Sequence, residues 1–242
     1  MGRYSVPLAR RLADAVGVEA GQRVLDVGCG PGALTACLAE RLGPEHVAAI
    51  DPSESYVEAC RRRNPGVAVR EGRAESLPFA DGVFDAALAQ LVFQFMSDPL
   101  AAAGELRRVV RPGGAVGGCV WDYADGMRML AVFWDSAREL DPAAPHEADT
   151  LPFARDGELG ALFRKARLSA VESGELAVEA GYADFEDFWG PFLAGVGPGG
   201  AYCASLDSAG REALREACFR RLGSPVGPFT LTARAWYAVG HA

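Results

Sequence analysis

Val24-Leu25-Asp26-Val27-Gly28-Cys29-Gly30-Pro31-Gly32-Ala33 is the stretch whose reading decides the fold. Val24, Leu25 and Val27 are apolar and mostly β-branched, which predicts a short buried strand. Three glycines within the next five residues make a tight turn. Glycine reaches positive φ and, without a Cβ, lets a ligand approach the backbone. Leu34, Leu38 and Leu42 then recur at spacings of four, which predicts a helix over 33–41. Strand, glycine turn and helix in that order form a nucleotide-binding element.

The turn by itself leaves the ligand open. Gly28, Gly30 and Gly32 read as G-x-G-x-G, and Gly28, Gly30 and Ala33 also fit the dinucleotide pattern G-x-G-x-x-G/A. Pro31 removes an N–H that a phosphate cradle would use. Asp26 brings a carboxylate beside the turn, and that suits a cation better than a pyrophosphate. The competing structural reading is a tight turn with no ligand; the strand–turn–helix context weighs against it.

The whole chain sets further bounds. Its 242 residues suit one α/β domain with insertions, and 50% hydrophobic residues allow a well-buried core. The net charge of −8 and the lack of a basic stripe argue against a nucleic-acid partner. Arg61, Arg62 and Arg63 close a predicted helix, where they offset its C-terminal dipole. No apolar run nears the roughly 18 residues of a membrane span, and no signal peptide is visible. Membrane insertion is therefore not expected. The six cysteines form no C-x-x-C pair and no Cys/His cluster, so no metal site is expected. Free thiols suit a cytoplasmic location.

Taken in order, Ser5 to Val16 read as an opening helix. Tyr4 just before it is either a staple onto that helix or a lid residue over a ligand. His46 to Ile50 form a second strand ending at Asp51, 23 residues beyond Gly28. An acid there can accept from both ribose hydroxyls. It could also cap the next helix, for which Ser53 is the expected N-cap. Val67 to Arg70, Val83 to Gln90 and Ala115 to Trp121 are the third, fourth and fifth strands. Between the last two lies a helix over Leu100 to Val110, with Asp98 as its cap and Arg111-Pro112-Gly113-Gly114 as its stop. Strands alternating with helices predict a doubly wound, parallel α/β sheet.

Val24 to Gly32, Asp51-Pro52-Ser53, Ala74-Glu75-Ser76-Leu77-Pro78-Phe79, Phe84-Asp85 and Arg111-Pro112-Gly113-Gly114 come in a telling order. Over Arg23 to Trp121 the chain resembles class I S-adenosylmethionine-dependent methyltransferases, in particular the small-molecule type 11 group that includes ubiquinone- and menaquinone-biosynthesis-like enzymes. The resemblance implies a seven-stranded, mostly parallel Rossmann-like methyltransferase sheet. In such a sheet the last strand is antiparallel and inserted between the fifth and sixth, a place that Thr230 to Val239 match. It also implies S-adenosylmethionine as cofactor. Asp26 and the turn of Gly28, Gly30 and Gly32 would lie against its amino-acid part, with Gln90 facing the methionyl portion. Asp51 would bind the ribose, Pro52 or Ser53 would sit beside the adenine, and Ala74 and Glu75 would line it. The family often has Asp where this chain has Arg73, and an Arg cannot accept from the adenine amino group. Glu75 or a backbone carbonyl is the expected substitute. The family's frequent His-His near Gln94-Phe95 is also missing, so no role transfers there.

Domain organisation follows from the same reading. A single methyltransferase domain over 1–242 is expected, with its cofactor-binding core at 18–122. Segments 123–155 and 180–206 would be helical cap insertions that form a substrate lid. Aromatics gather in these segments, and Phe188, Trp189 and Phe192 share a helical spacing. They read either as cap core or as an apolar pocket for a small planar acceptor.

Methyl transfer from a sulfonium is an in-line displacement that needs alignment and exclusion of water more than a dedicated residue. No catalytic residue is therefore fixed by the sequence. Asp122 and Tyr123, just after the fifth strand, are candidates for a base, and His146 is a more remote one, since a loop His is commonly just solvated. The expected function is methyl transfer to a small-molecule acceptor, by a monomer or homodimer. The alternatives are a nicotinamide-dependent oxidoreductase and a non-catalytic S-adenosylmethionine-binding protein. The oxidoreductase reading does not predict the 74–79 motif, and Lys165, the only lysine, has no Tyr four residues before it.

Overall fold

The computed structural model describes residues 2–195 and 197–242. Its first half alternates as the sequence predicts. The helix α1 (Gly2–Val16) leads into β1 (Val24–Val27), α2 (Ala33–Leu42), β2 (Val47–Asp51), α3 (Glu54–Arg63) and β3 (Ala68–Glu71). Then come β4 (Phe84–Gln90), α4 (Pro99–Val109) and β5 (Val110–Trp121). The second half holds α5 (Arg128–Leu140), α6 (Glu147–Thr150), α7 (Glu158–Lys165) and β6 (Ser169–Tyr182). It ends with α8 (Phe185–Leu193), α9 (Gly197–Ser205), α10 (Ser208–Arg221) and β7 (Phe229–His241).

The seven strands form one sheet in the order β3-β2-β1-β4-β5-β7-β6. Six run parallel and β7 is antiparallel, as the resemblance implies. Val24 to Val27 pair in parallel with Val47 to Ile50 on one side, and Val24 to Asp26 pair with Ala86 to Leu88 on the other. Every residue of β1 and β2 is buried, which is what helices on both faces of a parallel sheet demand. The chain order reverses between β1 and β4. Open α/β sheets bind ligands at such a switch point, outside the carboxyl ends of the strands.

Two boundaries differ from the sequence reading. β5 begins at Val110, because Val110 pairs with Phe84 across an irregular register, so the Arg-Pro-Gly-Gly stretch lies within the strand rather than before it. The polar segment after α5 contains α6, a helix capped by His146.

The chain divides into two compact units. The first takes in residues 1–120, 155–176 and 235–242; the second takes in 121–154 and 177–234. The second unit therefore contains most of both expected insertions together with α10. Its core is aromatic. Phe133 stacks on Phe192 with ring centroids 4.2 Å apart, and Trp134 meets Phe133 edge-on at 5.0 Å. Phe188, Trp189 and Phe192 are all buried, so these rings are core residues of this unit. Within this unit a cavity of about 210 Å³ beside Ala137 and Leu214 takes only Tyr202 from the aromatics.

Candidate active site

The three turn glycines have φ of 71°, 52° and 88°, and each needs that freedom for a different reason. A Cβ on Gly28 would stand 2.8 Å from Val92 Cγ1. One on Gly32 would stand 2.8 Å from Cys60 Sγ and also press on the Asn64 amide. One on Gly30 would meet nothing within 4 Å. Gly28 and Gly32 are thus constrained by their neighbours, while Gly30 faces open space. Gly32 borders neither of the cavities described below; its place is against α3. Gly32→Ala should cost about 2 kcal/mol or more of stability in urea unfolding, because left-handed backbone strain adds to overpacking.

The N–H groups of the turn are already committed. Those of Gly28 and Cys29 both donate to Ile50 O, at 2.8 and 3.0 Å. That of Gly32 donates to Cys29 O at 3.0 Å, and that of Gly30 to Asp51 Oδ2 at 2.8 Å. Pro31 has none to give. No N–H within residues 28–32 is spare for a diphosphate.

Along the carboxyl ends of β1 to β4 lies a cavity of about 510 Å³. Asp51, Pro52, Ser53, Ala74 and Glu75 line it, so the sequence-expected residues of these two loops come together. Asp51 is buried and ties the glycine turn to the residue at the N-cap of α3. Its Oδ2 holds the Gly30 N–H, and its Oδ1 accepts from the Ser53 N–H at 2.9 Å. Each oxygen keeps a lone pair for a ribose hydroxyl. Ser53 stands at the N-cap of α3, but its hydroxyl lies 3.0 Å from Ser55 Oγ and caps nothing.

Glu75 has a different part from the expected one. Its Oε1 accepts from the Ser97 N–H at 3.0 Å, the Ser97 hydroxyl at 2.7 Å and the Asp98 N–H at 3.4 Å. Its Oε2 faces Arg73 Nε at 3.6 Å, and Arg73 Nη2 donates to Ser97 Oγ at 2.8 Å. These hydrogen bonds hold its carboxyl below the usual carboxylate range despite some burial. Glu75 therefore ties two loops of the cavity wall together through Oε1, while its Oε2 accepts no hydrogen bond within 3.5 Å among those shown.

Sequence reasoning missed Leu91, Val92, Phe95, Met96 and Tyr56, which also line this cavity. Leu91 has φ of 62°, a strained value for a branched residue, and strain of this kind gathers at functional sites. The Leu91 N–H donates to Cys119 O at 2.8 Å, and Gln94 Nε2 donates to Leu91 O at 3.0 Å. No composition signal marks this, because only the strand that precedes it and the strand beside it fix the turn.

A second cavity of about 190 Å³ adjoins the first, sharing Gly28, Gly30, Leu91 and Val92 with it. Asp26 and Gln90 face it from the ends of β1 and β4. Asp26 is wholly buried; its Oδ2 accepts from Thr35 Oγ1 at 2.6 Å, and its Oδ1 has no partner. Burial pushes its carboxyl up to about 7, with the Thr35 hydrogen bond opposing. Gln90 Nε2 donates to Ser5 O at 3.0 Å, while its Oε1 has no partner. Two buried acceptors without donors, on two residues that line one small cavity, suit an ammonium group better than an anion.

Tyr4 borders neither cavity. It is fully buried in α1, which fits the staple reading and not the lid; Gly2 and Ser5 are the α1 residues that reach the smaller cavity.

The three base candidates lie in the second unit. Asp122 is buried and its carboxylate is saturated. Arg234 Nε and Nη2 donate to Oδ2 at 2.9 and 2.5 Å, and the Ala124 and Asp125 N–H groups donate to Oδ1 at 3.1 and 3.2 Å. A carboxylate with one oxygen held by a guanidinium and the other by two backbone N–H groups is a structural joint. Tyr123 is buried as well. His146 is not a solvated loop residue. It is buried, its Nδ1 accepts from the Ala148 N–H at 3.0 Å, and burial holds its pKa below the usual imidazole value.

This geometry agrees with what the chain resembles among known proteins. The family model for the methyltransferase domain matches residues 25–117. A demethylmenaquinone methyltransferase of Beutenbergia cavernae is 40% identical over 105 residues, 43% of this chain and 43% of that protein. An uncharacterized protein of Mycobacterium tuberculosis is 32% identical over 215 residues, 83% of this chain and 77% of that one. A solved structure from Anaeromyxobacter dehalogenans superposes with a TM-score of 0.70 at 23% identity, covering 99% of this chain and 97% of that one, which speaks to the fold alone. The chain belongs to the class I S-adenosylmethionine-dependent methyltransferases. The cofactor of that family is S-adenosylmethionine, and the residues present suit it. Buried acceptors await a cation, and an acid at the end of β2 is oriented toward the larger cavity. The match takes in less than half the length of the demethylmenaquinone enzyme.

Proposed function

We propose that the protein transfers a methyl group from S-adenosylmethionine to a small-molecule acceptor. The observation that carries this reading is the inverted polarity of the turn. Its N–H groups are spent within the fold, while Asp26 Oδ1 and Gln90 Oε1 have no partners. Such a site favours a cationic ligand over a diphosphate.

When bound, the donor supplies a methyl group already activated on a cationic sulfur. The chain's own residues bind, orient and keep water out. Asp51 fixes the nucleoside end, and Asp26, the turn and Gln90 fix the amino-acid end. The acceptor attacks in line, the S–CH3 bond breaks, and the acceptor's proton passes to solvent. No base need lie in the cavity for this.

An apolar acceptor is supported by the rim of the larger cavity, where Phe95 is 67% exposed and Tyr56 51% exposed. Large exposed rings beside a cavity commonly serve recognition. The relative from Beutenbergia cavernae is, by its name, a demethylmenaquinone methyltransferase.

Thermal-shift titration tests the reading. At a hundredfold excess over Kd, S-adenosylhomocysteine should add about 2.7 kcal/mol. That is roughly 5 to 10 °C in melting temperature for a chain of this size. NAD should add nothing. The opposite pattern would return the protein to the oxidoreductase reading.

A further inference from the structure

Cys29 in the glycine turn and Cys60 in α3 are both buried, and both carry free thiols. They belong to one small core cluster with Ala49, Val57 and Val69, and the two thiols hydrogen-bond to each other. The turn makes this meeting possible. A Cβ on Gly32 would stand 2.8 Å from Cys60 Sγ, so the bare glycine lets the sulfur of α3 reach the turn. Asn64 Nδ2 donates to Gly32 O at 3.3 Å and to Cys60 Sγ at 3.6 Å, which holds the same contact from the α3 side. Cys60 Sγ also lies 3.5 Å from Thr35 Oγ1.

The two sulfurs differ in charge and in access. The hydrogen bond from Cys29, with those to Thr35 and Asn64, holds the Cys60 thiol below the usual thiol range against the opposing effect of burial. The same bond, together with burial, pushes the Cys29 thiol up. The shared proton therefore rests on Cys29, and Cys60 has the thiolate character that a nucleophile needs. Cys60 has no exposed surface, whereas Cys29 is 7% exposed and lines the smaller cavity. A small solute in that cavity meets Cys29 first, with Cys60 directly behind it. An accessible sulfur backed by a resolving one is the arrangement of a redox-sensitive pair. Cys119 and Cys218 are different: burial pushes both up to about 12, and buried thiols of that kind are inert.

We propose that Cys29 and Cys60 are a modification site that a hydroperoxide closes into a reversible disulfide, which ties the glycine turn to α3 and weakens donor binding. The effect on the donor rests on the donor reading given above; the disulfide does not. With hydrogen peroxide, the shared proton passes to Cys60 as the Cys29 sulfur attacks one peroxide oxygen. The O–O bond breaks, Cys29 becomes a sulfenic acid, and the departing hydroxide takes the proton from Cys60 to give water. The Cys60 thiolate then attacks the Cys29 sulfur, the S–O bond breaks, and a second hydroxide leaves. Two electrons pass from the sulfur pair to the peroxide. Bonded sulfurs lie about 2 Å apart, closer than two hydrogen-bonded thiols. The Cys29 sulfur must therefore shift toward α3, and the wall of the smaller cavity changes with it.

The test treats the reduced chain with hydrogen peroxide, blocks the remaining thiols and maps the peptides by mass without reductant. The Cys29 and Cys60 peptides should appear joined and lighter by two hydrogens, and dithiothreitol should part them. Cys60→Ser should give no joined peptide and leave on Cys29 a sulfenic acid that dimedone traps. Cys37→Ser, on α2 and outside the cluster, should keep the joined peptide. Calorimetry should find that the oxidised wild-type chain binds S-adenosylhomocysteine about tenfold more weakly than the reduced one, with recovery on reduction. Free thiols at both positions after peroxide, or Cys29 joined to some other cysteine, would overturn the pair. A joined pair with unchanged affinity would overturn its effect on the donor. If the reduced chain binds no S-adenosylhomocysteine, the donor reading falls, and the peptide map still decides the disulfide.

Discussion

Asp26→Asn is expected to lose S-adenosylhomocysteine affinity by about a hundredfold, while the fold itself becomes more tolerant of high pH. Both effects follow from one buried carboxyl. In the folded chain burial raises its pKa from 3.8 to about 7. Below the lower value both folded and unfolded chains hold the proton, and burial costs nothing. Between the two values the unfolded chain has released its proton while the folded chain still binds it, so stability falls as pH rises. Above about 7 both are ionised, and the accumulated loss is on the order of 4 kcal/mol. The amide variant carries no such penalty, so its stability should be flat where that of the wild type declines. Urea unfolding at several pH values reads this directly.

Ligand binding follows the opposite slope. An ammonium group needs the ionised form, so wild-type affinity should climb with pH, by up to tenfold per unit below about pH 7, and then level off. Binding near neutrality should release a proton, detectable as a calorimetric enthalpy that varies with the buffer's ionisation enthalpy. Asp26→Asn should show neither the climb nor the release. A wild-type affinity that ignores pH across this range would remove Asp26 from the donor site.

The second large effect is expected from Asp51→Ala. Removing this side chain deletes the ribose acceptor and also strands two N–H groups, those of Gly30 and Ser53, which it holds at 2.8 and 2.9 Å. Loss of two hydrogen bonds to a charged group amounts to about 3 kcal/mol or more, which is over a hundredfold in affinity. The stranded N–H groups add a loss of stability, because the part of the turn next to the ligand is no longer tied to β2. Asp51→Asn keeps one acceptor oxygen and should recover part of each. Calorimetry with S-adenosylhomocysteine gives the first loss and urea unfolding the second. Full affinity in Asp51→Ala would mean that the ribose lies elsewhere.

Much of the fold was open to reading because its signals are local. Apolar runs in Val24 to Val27 and Val47 to Ile50 announce strands buried on both faces. Leucines every four residues announce α2, and glycines at 28, 30 and 32 announce a left-handed turn. The loops at 51–53 and 74–75 were located by motif order, and the parallel sheet brings both to one cavity. The position of β7 between β5 and β6 was reached through resemblance, since nothing in its own residues states which strands it will join.

What stayed hidden depends on side chains meeting across the fold. Glu75 looks like a ligand residue in sequence, but its Oε1 is filled by Ser97 and Asp98, 22 and 23 residues later. Asp122 looks like a base at a strand end, but Arg234, 112 residues on, takes its oxygen. His146 reads as exposed and is buried. The sequence by itself determined the strand–turn–helix element and the acids around it, because backbone conformation and apolar periodicity are properties of neighbouring residues. Which of those acids keep an oxygen without a partner was decided only by the tertiary structure. A polar atom's availability is whatever its distant partners leave over.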